Sequence, residues 1–403
     1  MTSIDLIPDP TAPDDPELDR WTTVATEVAG ILRKDAVGRD HANAEPVAEI
    51  ALIREHGLLG LTIPQAFGGE GAPWRAAVQV ARIIARADTS IAHILAYHYG
   101  WLRIVASFGT DAARDELRQT ATRRWLWASP GTSRLGLPKL VPVDGGHVVT
   151  GESGFATGGP VCDRLFTRAL HSDTGDLHIV ALDPRAPEIE FTGTWDVLGQ
   201  RLTASRAVTL NDVPVNSYLA AFGPLDQPPA PIWSLAVLNF QLLFSVLHLG
   251  TAEGALLEAA DYTRQHTRPW YHSLVEHGNH EPFILQTYGE YLARVQAVSA
   301  LTERADAALT RLYSLGDQVT GDQRAQVAEI IAAARINAID VGLAVTAGIF
   351  DLTGARSTAT AHGLDRFWRN QRTLSLHDPV AYKQHELGGY FVNGTHPAPS
   401  GYR

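Results

Sequence analysis

A chain of 403 residues, 45% hydrophobic and 19% charged, is too long for one hydrophobic core and has the composition of an ordinary globular protein with several packed units. Its formal net charge of -11 sets nucleic-acid binding aside, because that role needs clustered Lys and Arg to release counterions. No apolar run approaches the roughly 18 residues that read as a membrane span, and the single cysteine, Cys162, excludes an intrachain disulfide and a zinc site with several thiolate ligands.

Residues 1–16 are polar and Pro-rich and read as a disordered tail. Pro and Asp stand there where a signal peptide would have a basic and then an apolar segment, so a cytoplasmic location is expected. Residues 17–123 read as an N-terminal helical domain, with Trp21, Val24, Val28 and Leu32 at helical spacing. Residues 61–74 interrupt it with the Pro and Gly content of an ordered loop. From residue 124 to 222 short β-branched runs, HVVT at 147–150 and HIVAL at 178–182, alternate with turn residues. Asp144-Gly145-Gly146 is a hairpin signal. This stretch is expected to be an inserted, barrel-like β domain, with the Pro-rich residues 223–231 as the linker out of it.

Residues 232–403 return to helical periodicity. Leu292, Val295, Val298, Leu301, Ala305, Ala308 and Leu312 make one apolar stripe. Residues 323–350 are rich in Ala and Ile, as in a core helix, and the short 316–321 connection suits an up-down four-helix bundle. The fold class expected is therefore α+β, with helices, a β domain and a helical bundle in that order.

That order is that of the acyl-CoA dehydrogenase fold, and local strings agree with it. EHGLLGLTIP at 55–64 with FGGEG at 67–71 resembles the family's N-terminal glycine-rich element, and LGQRLTASRAVTLNDVPV at 198–215 resembles the strand pair that closes its β domain. The ending DRFWRNQRTLSLHDPVAYK at 365–383 resembles the dibenzothiophene monooxygenase group, as do AYHY at 96–99, YTRQHTRPW at 262–270 and GARS at 354–357. Where dehydrogenases typically carry a catalytic Glu in a Tyr-Glu-Gly-Thr string, this chain has Leu376-His377-Asp378-Pro379.

The resemblance implies a flavin-dependent monooxygenase that uses O2 through a flavin C4a-hydroperoxide and oxygenates an aromatic or heteroaromatic substrate at S, N or C. Such chemistry needs a water-excluding pocket and a proton donor beside the flavin. An imidazole can serve, and His377 and His98 are the candidates because they fall within the matching strings. The resemblance places flavin contacts at Ser129, Phe155 and Thr157, and phosphate contacts at Arg268 and Arg356, given across a subunit boundary; Arg369 lies near them in sequence. Tyr97, Trp127, Phe240 and Trp270 are candidate pocket residues.

The loop around Trp270 and Tyr271 reads as a lid over the substrate, and its His277 and His280 are not expected to hold a metal. No Gly-x-Gly-x-x-Gly or Gly-x-x-x-x-Gly-Lys motif is visible. Reduced FMN, or FAD in its place, should then come from a separate NAD(P)H-dependent flavin reductase, and a homotetramer is expected from the fold. The rival readings are an acyl-CoA dehydrogenase or oxidase with its base relocated to Glu253 or Asp378, and a non-catalytic relative. Cys162 reads as inert packing.

Overall fold

The computed structural model describes residues 6–7, 14–131, 136–224 and 230–399. The expected tail at 1–16 and the linker at 223–231 fall largely outside them. Six helices open the chain: α1 (Pro16–Arg33), α2 (Ala36–Ala42), α3 (Val47–Glu55), α4 (Trp74–Ala87), α5 (Thr89–Phe108) and α6 (Asp111–Arg123). Helix α5 is set by its ends. Asp88 caps it by accepting from the Ser90 and Ile91 amides, and Gly109 stops it in the left-handed conformation at φ 67°. Between the caps nearly every side chain is buried, so α5 is the internal rod of the N-terminal domain. The 55–64 string is tied to it: Tyr99 Oη donates to the Leu58 carbonyl at 3.0 Å.

Eight strands follow: β1 (Trp127–Ala128), β2 (Lys139–Val143), β3 (Gly146–Ala156), β4 (Arg164–His171), β5 (Asp176–Leu182), β6 (Ile189–Thr192), β7 (Arg206–Pro214) and β8 (Ser217–Pro224). They form one mixed sheet in the order β6-β7-β3-β2-β4-β5-β8, with β1 parallel to β4. Asp144 and Gly145, the latter at φ 87°, make the two-residue turn joining β2 to β3. Leu140, Val149, Leu165, Val180, Val208 and Leu210 fill the inside of the sheet. Cys162 packs between this core and that of the N-terminal domain, and burial pushes its thiol upward.

The C-terminal bundle is built from α7 (Pro231–His266), α8 (Pro282–Leu315) and α9 (Gly321–Thr353), with the shorter α10 (Asp365–Leu374) and α11 (Val380–Asn393) packed on α9. The stripe on α8 is buried at Val295, Val298, Ala305, Ala308 and Leu312. Helices α7 and α9 are each long and apolar enough to cross a membrane, but 78% and 56% of their most apolar windows are buried inside the fold. Bundle packing accounts for that apolarity.

Helix α7 also joins the bundle to the N-terminal domain. A Cβ at Gly250 would lie 2.5 Å from the Arg82 carbonyl oxygen, and one at Gly254 2.1 Å from that of Arg86. The two glycines therefore let α4 approach backbone to backbone. Between them Glu253 is fully buried, accepting from Arg82 on both carboxylate oxygens and from Arg86 on one of them. Burial opposes its ionisation, but the two guanidinium charges hold its carboxyl below the usual range. A carboxylate so committed has no lone pair to spare for a substrate proton, which removes Glu253 as a relocated base.

Candidate active site

The turn between α10 and α11 carries His377. Asp378 precedes a proline, which keeps it out of the helical region, and Pro379 then opens α11. The break swings the His377 ring onto Phe244 of α7, with centroids 4.4 Å apart. Its Nε2 lies 3.1 Å from Tyr97 Oη on α5, and its Nδ1 lies 3.4 Å from Asp378 Oδ1. Around this pair the rings of His93 and Phe240 each stand 5.1 Å from Tyr97, and Phe244 stands 5.9 Å from it. Trp101 backs Phe240 at 5.8 Å. Three segments distant in sequence thus build one aromatic cup with a histidine and a phenol in contact.

His93 was not among the sequence candidates. At about 100° per residue, positions 93 and 97 fall roughly 40° apart on the helix, whereas 97 and 98 point about 100° apart. The pairing His93/Tyr97 was thus readable from helix geometry. His93 Nδ1 donates to Gln200 Oε1 at 3.1 Å, while its buried Nε2 has no protein partner among the described residues.

His98 takes a different place from the one expected. It is fully buried, Nε2 donates to the Leu59 carbonyl at 2.8 Å, and Nδ1 accepts the Trp127 amide at 3.1 Å. Both nitrogens are spent on backbone, so His98 is a clamp between the 55–64 loop, α5 and β1 and not a pocket donor. Trp127 is corrected likewise. Its indole is wholly buried, donates to Thr120 Oγ1 at 2.7 Å and packs 4.1 Å from Phe166, which places it in the core and not in the cup.

The charges behind His377 are paired. Asp378 accepts from Arg335 and, at 3.4 Å, from Gln241. Burial works to raise its carboxyl, but the His377 hydrogen bond and the Arg335 and Lys383 charges prevail and bring it down to about 2. Asp378 is therefore a fixed anion that orients His377, and a poor base for a substrate proton.

Three buried histidines resist protonation. Burial, chiefly, pushes His93 down to about 3, His98 to about 4 and His248 on α7 to about 3. In the unfolded chain each binds a proton below about 6.5, so the unfolded state holds more protons between there and about pH 3 to 4. Stability is thus complete above pH 6.5 and is lost as pH falls through this window, by up to about 1.4 kcal/mol per histidine per pH unit. Thermal unfolding followed from pH 8 to pH 4.5 should show a falling midpoint. His98→Leu should flatten that slope, and an unchanged slope would reject the assignment.

The β domain meets this cup through Gln200. From Gln200 a hydroxyl chain runs through Thr203 and Ser205 to Thr157 Oγ1, with links of 2.8, 2.8 and 2.9 Å. Gly158, at φ 71°, abuts α5, where a Cβ would come within 3.0 Å of Ile94. Three residues earlier in the same string, Phe155 holds the left-handed conformation at φ 56°, and its ring is 65% exposed with an edge toward Trp195 at 6.2 Å. It stands beside a register shift between β3 and β7. Ser129 lies buried at the end of β1, its hydroxyl 3.3 Å from the Pro130 carbonyl.

Arg268 and Arg356 share a separate cleft of about 500 Å³ with Arg264, His266, His277 and His362. Arg356 is steadied by the His266 carbonyl at 3.1 Å, Arg264 is paired with Asp261, and Arg268 with Arg356 in one cleft would suit a phosphate. Arg369 belongs elsewhere. Its guanidinium is paired with Asp40 and Asp365 and donates to the Leu198 carbonyl, so it staples α10 to the N-terminal domain and has no fork left for a cofactor. The phosphate cleft stands at the far end of α7. The 22 residues from Phe244 to His266 make roughly 33 Å of helix at about 1.5 Å each. Trp270, 72% exposed, lies beyond that end with Tyr271, so neither can cover the cup of its own chain.

Comparison with known proteins agrees with the architecture. Residues 22–123 match the acyl-CoA dehydrogenase N-terminal domain, and residues 242–382 match the acyl-CoA dehydrogenase C-terminal domain. The probable FMNH2-dependent monooxygenase SfnC of Pseudomonas putida is 37% identical over 383 residues, 94% of this chain and 96% of that protein. Dibenzothiophene monooxygenase of Rhodococcus erythropolis is 32% identical over 402 residues, covering 93% and 94%. The FMN-bound structure of TdsC from Paenibacillus sp. A11-2 superposes with a TM-score of 0.91 at 33% identity, over 95% of this chain and all of that one. The Leu376-His377-Asp378-Pro379 turn, the aromatic cup and these full-length matches converge: the chain belongs to the acyl-CoA dehydrogenase family and, within it, to the flavin-dependent monooxygenases grouped with dibenzothiophene monooxygenase.

Proposed function

We propose that this protein is the oxygenating component of a two-component system, inserting one oxygen atom from O2 into an aromatic or heteroaromatic substrate. The observation that carries this reading is the His377–Tyr97 contact, 3.1 Å long, inside a cup of aromatic rings and backed by a buried carboxylate. Reduced flavin, when bound, would supply the activation of O2. The protein's own residues hold and move the proton. Asp378 accepts His377 Nδ1–H, so Nε2 presents its lone pair to the Tyr97 hydroxyl and a proton can pass along that pair. Phe240, Phe244 and Tyr97 present flat apolar faces to an aromatic substrate, and with substrate and flavin in place they would exclude water from the pair.

Phe155, Thr157 and Ser129 would border the flavin ring, and Arg268 with Arg356 would hold its phosphate. FMN is favoured over FAD because SfnC is named for FMNH2 and the TdsC structure contains FMN. Roughly 33 Å of helix separates the two ends of the site within one chain, well beyond the reach of a ribityl phosphate. The arginines would therefore serve the cup of a second copy, in keeping with a homotetramer. Reduced FMN would be delivered in the cytoplasm by an NAD(P)H-dependent flavin reductase. The dehydrogenase reading loses support because Glu253 and Asp378 are both locked in ion pairs.

The test is to mix protein with reduced FMN under anaerobic conditions and then add O2 in a stopped-flow spectrometer. A transient that outlives the reoxidation of free flavin and decays faster with an aromatic sulfur or nitrogen heterocycle is the expected result. Immediate reoxidation, together with bleaching of oxidised bound flavin by acyl-CoA, would sink the proposal.

A further inference from the structure

Arg335 lies in the middle of α9, 1% exposed, where an isolated charge would cost several kcal/mol. Its guanidinium donates through Nη2 to Asp378 Oδ1 and stacks 4.8 Å from the Phe244 ring. No described protein group accepts from its Nε or Nη1. Asp378 Oδ1 is also the oxygen that His377 Nδ1 meets, so one carboxylate oxygen is shared by the arginine and the histidine. Phe244 is shared as well, carrying Arg335 and His377 at 4.8 and 4.4 Å.

We propose that Arg335 is a positioning residue for His377, fixing its tautomer and ring orientation through Asp378. The groups facing His377 are Tyr97 and His93 from α5, Phe244 from α7, Asp378 from its own turn and, through Asp378, Arg335 from α9 and Lys383 from α11. Of these, Asp378 alone can accept the Nδ1 proton, and Arg335 on the same oxygen holds that carboxylate in place beneath the ring. His377 is thus held with its proton on Nδ1 and its Nε2 toward Tyr97. The catalytic meaning rests on the monooxygenase reading, but the geometry does not, and the test is made on flavin-free protein so that either can fail alone.

The measurement is 15N NMR of the histidine ring nitrogens at pH 7, with His377→Gln used to assign the signal. Wild type should show the Nδ1–H tautomer. Arg335→Met should lower the ratio of the Nδ1–H to the Nε2–H tautomer at His377 roughly fivefold, and Arg335→Lys should restore most of the wild-type ratio. Asp378→Asn should lower the ratio as well, since the fixed carboxylate is lost. If Arg335→Met does not fold, Asp378→Asn carries the test. A folded Arg335→Met or Asp378→Asn protein whose His377 tautomer signals match wild type overturns the proposal.

Discussion

His377→Ala is expected to bind reduced FMN and consume O2 at a rate comparable to wild type while product formation falls by roughly 10²- to 10⁴-fold, the missing equivalents appearing as H2O2. The argument separates two demands on the site. On the proposed reading, flavin retention would draw on the β-domain edge at Ser129, Phe155 and Thr157 and on the arginine cleft, none of which contacts His377 in the described contacts. Oxygen transfer needs a proton where Tyr97 Oη and His377 Nε2 meet, 3.1 Å apart. Removing the imidazole leaves the phenol without its partner and removes the ring that packs 4.4 Å from Phe244. Tyr97→Phe should give a smaller loss of the same kind, because the ring and its packing remain. The measurement is product by chromatography and H2O2 by peroxidase coupling in one reaction. Coupled turnover surviving in His377→Ala would remove His377 from the mechanism.

The parts of this molecule that were legible in the sequence are those whose physics is local. The α8 stripe, the Asp144-Gly145 hairpin and the Pro379 break in the bundle each follow from spacing or from one residue's backbone preference. The site was legible only where it lies in one string. His377 was found because 365–383 is continuous, and Tyr97 because it sits in AYHY. His98 was named because it falls within AYHY and His93 was not because it lies outside that string, although a helix separates neighbours by about 100° and brings every fourth residue together.

Arg369 misled for a related reason. Its nearness to the matching string said nothing of Asp40, 329 positions away, which claims its guanidinium. Arg335 and Glu253 were opaque because their partners come from other elements, and a charge inside an Ala- and Ile-rich helix shows no periodic signature. Trp270 was read as part of a lid over the substrate, and one chain's sequence holds no record of which copy's pocket stands beyond the end of the 36-residue helix it follows.

That last point leads to the other large effect. Arg268→Ala should weaken FMN binding by roughly 10- to 100-fold, the loss of about 1.5–3 kcal/mol for a charge-assisted contact, and Arg268→Ala with Arg356→Ala by more. If cup and cleft belonged to one site within one chain, mixing Arg268→Ala protein with His377→Ala protein could restore nothing, because every chain would carry a broken site. The length of α7 argues otherwise. With roughly 33 Å between Phe244 and His266, each complete site is expected to take His377 from one copy and the arginines from another. Co-expressed and allowed to pair at random, half the pairs are mixed, and each mixed pair holds one intact site and one doubly defective site. About a quarter of wild-type sites should therefore return. The readout is product formation at FMN concentrations too low to saturate Arg268→Ala, with differently tagged chains so that mixed oligomers are isolated. Recovery in the mixed species, and in neither parent, places the exposed Trp270 loop and the arginine cleft over a partner's His377. No recovery from a verified mixed oligomer would mean that both ends of the site serve one chain by a route other than the length of α7.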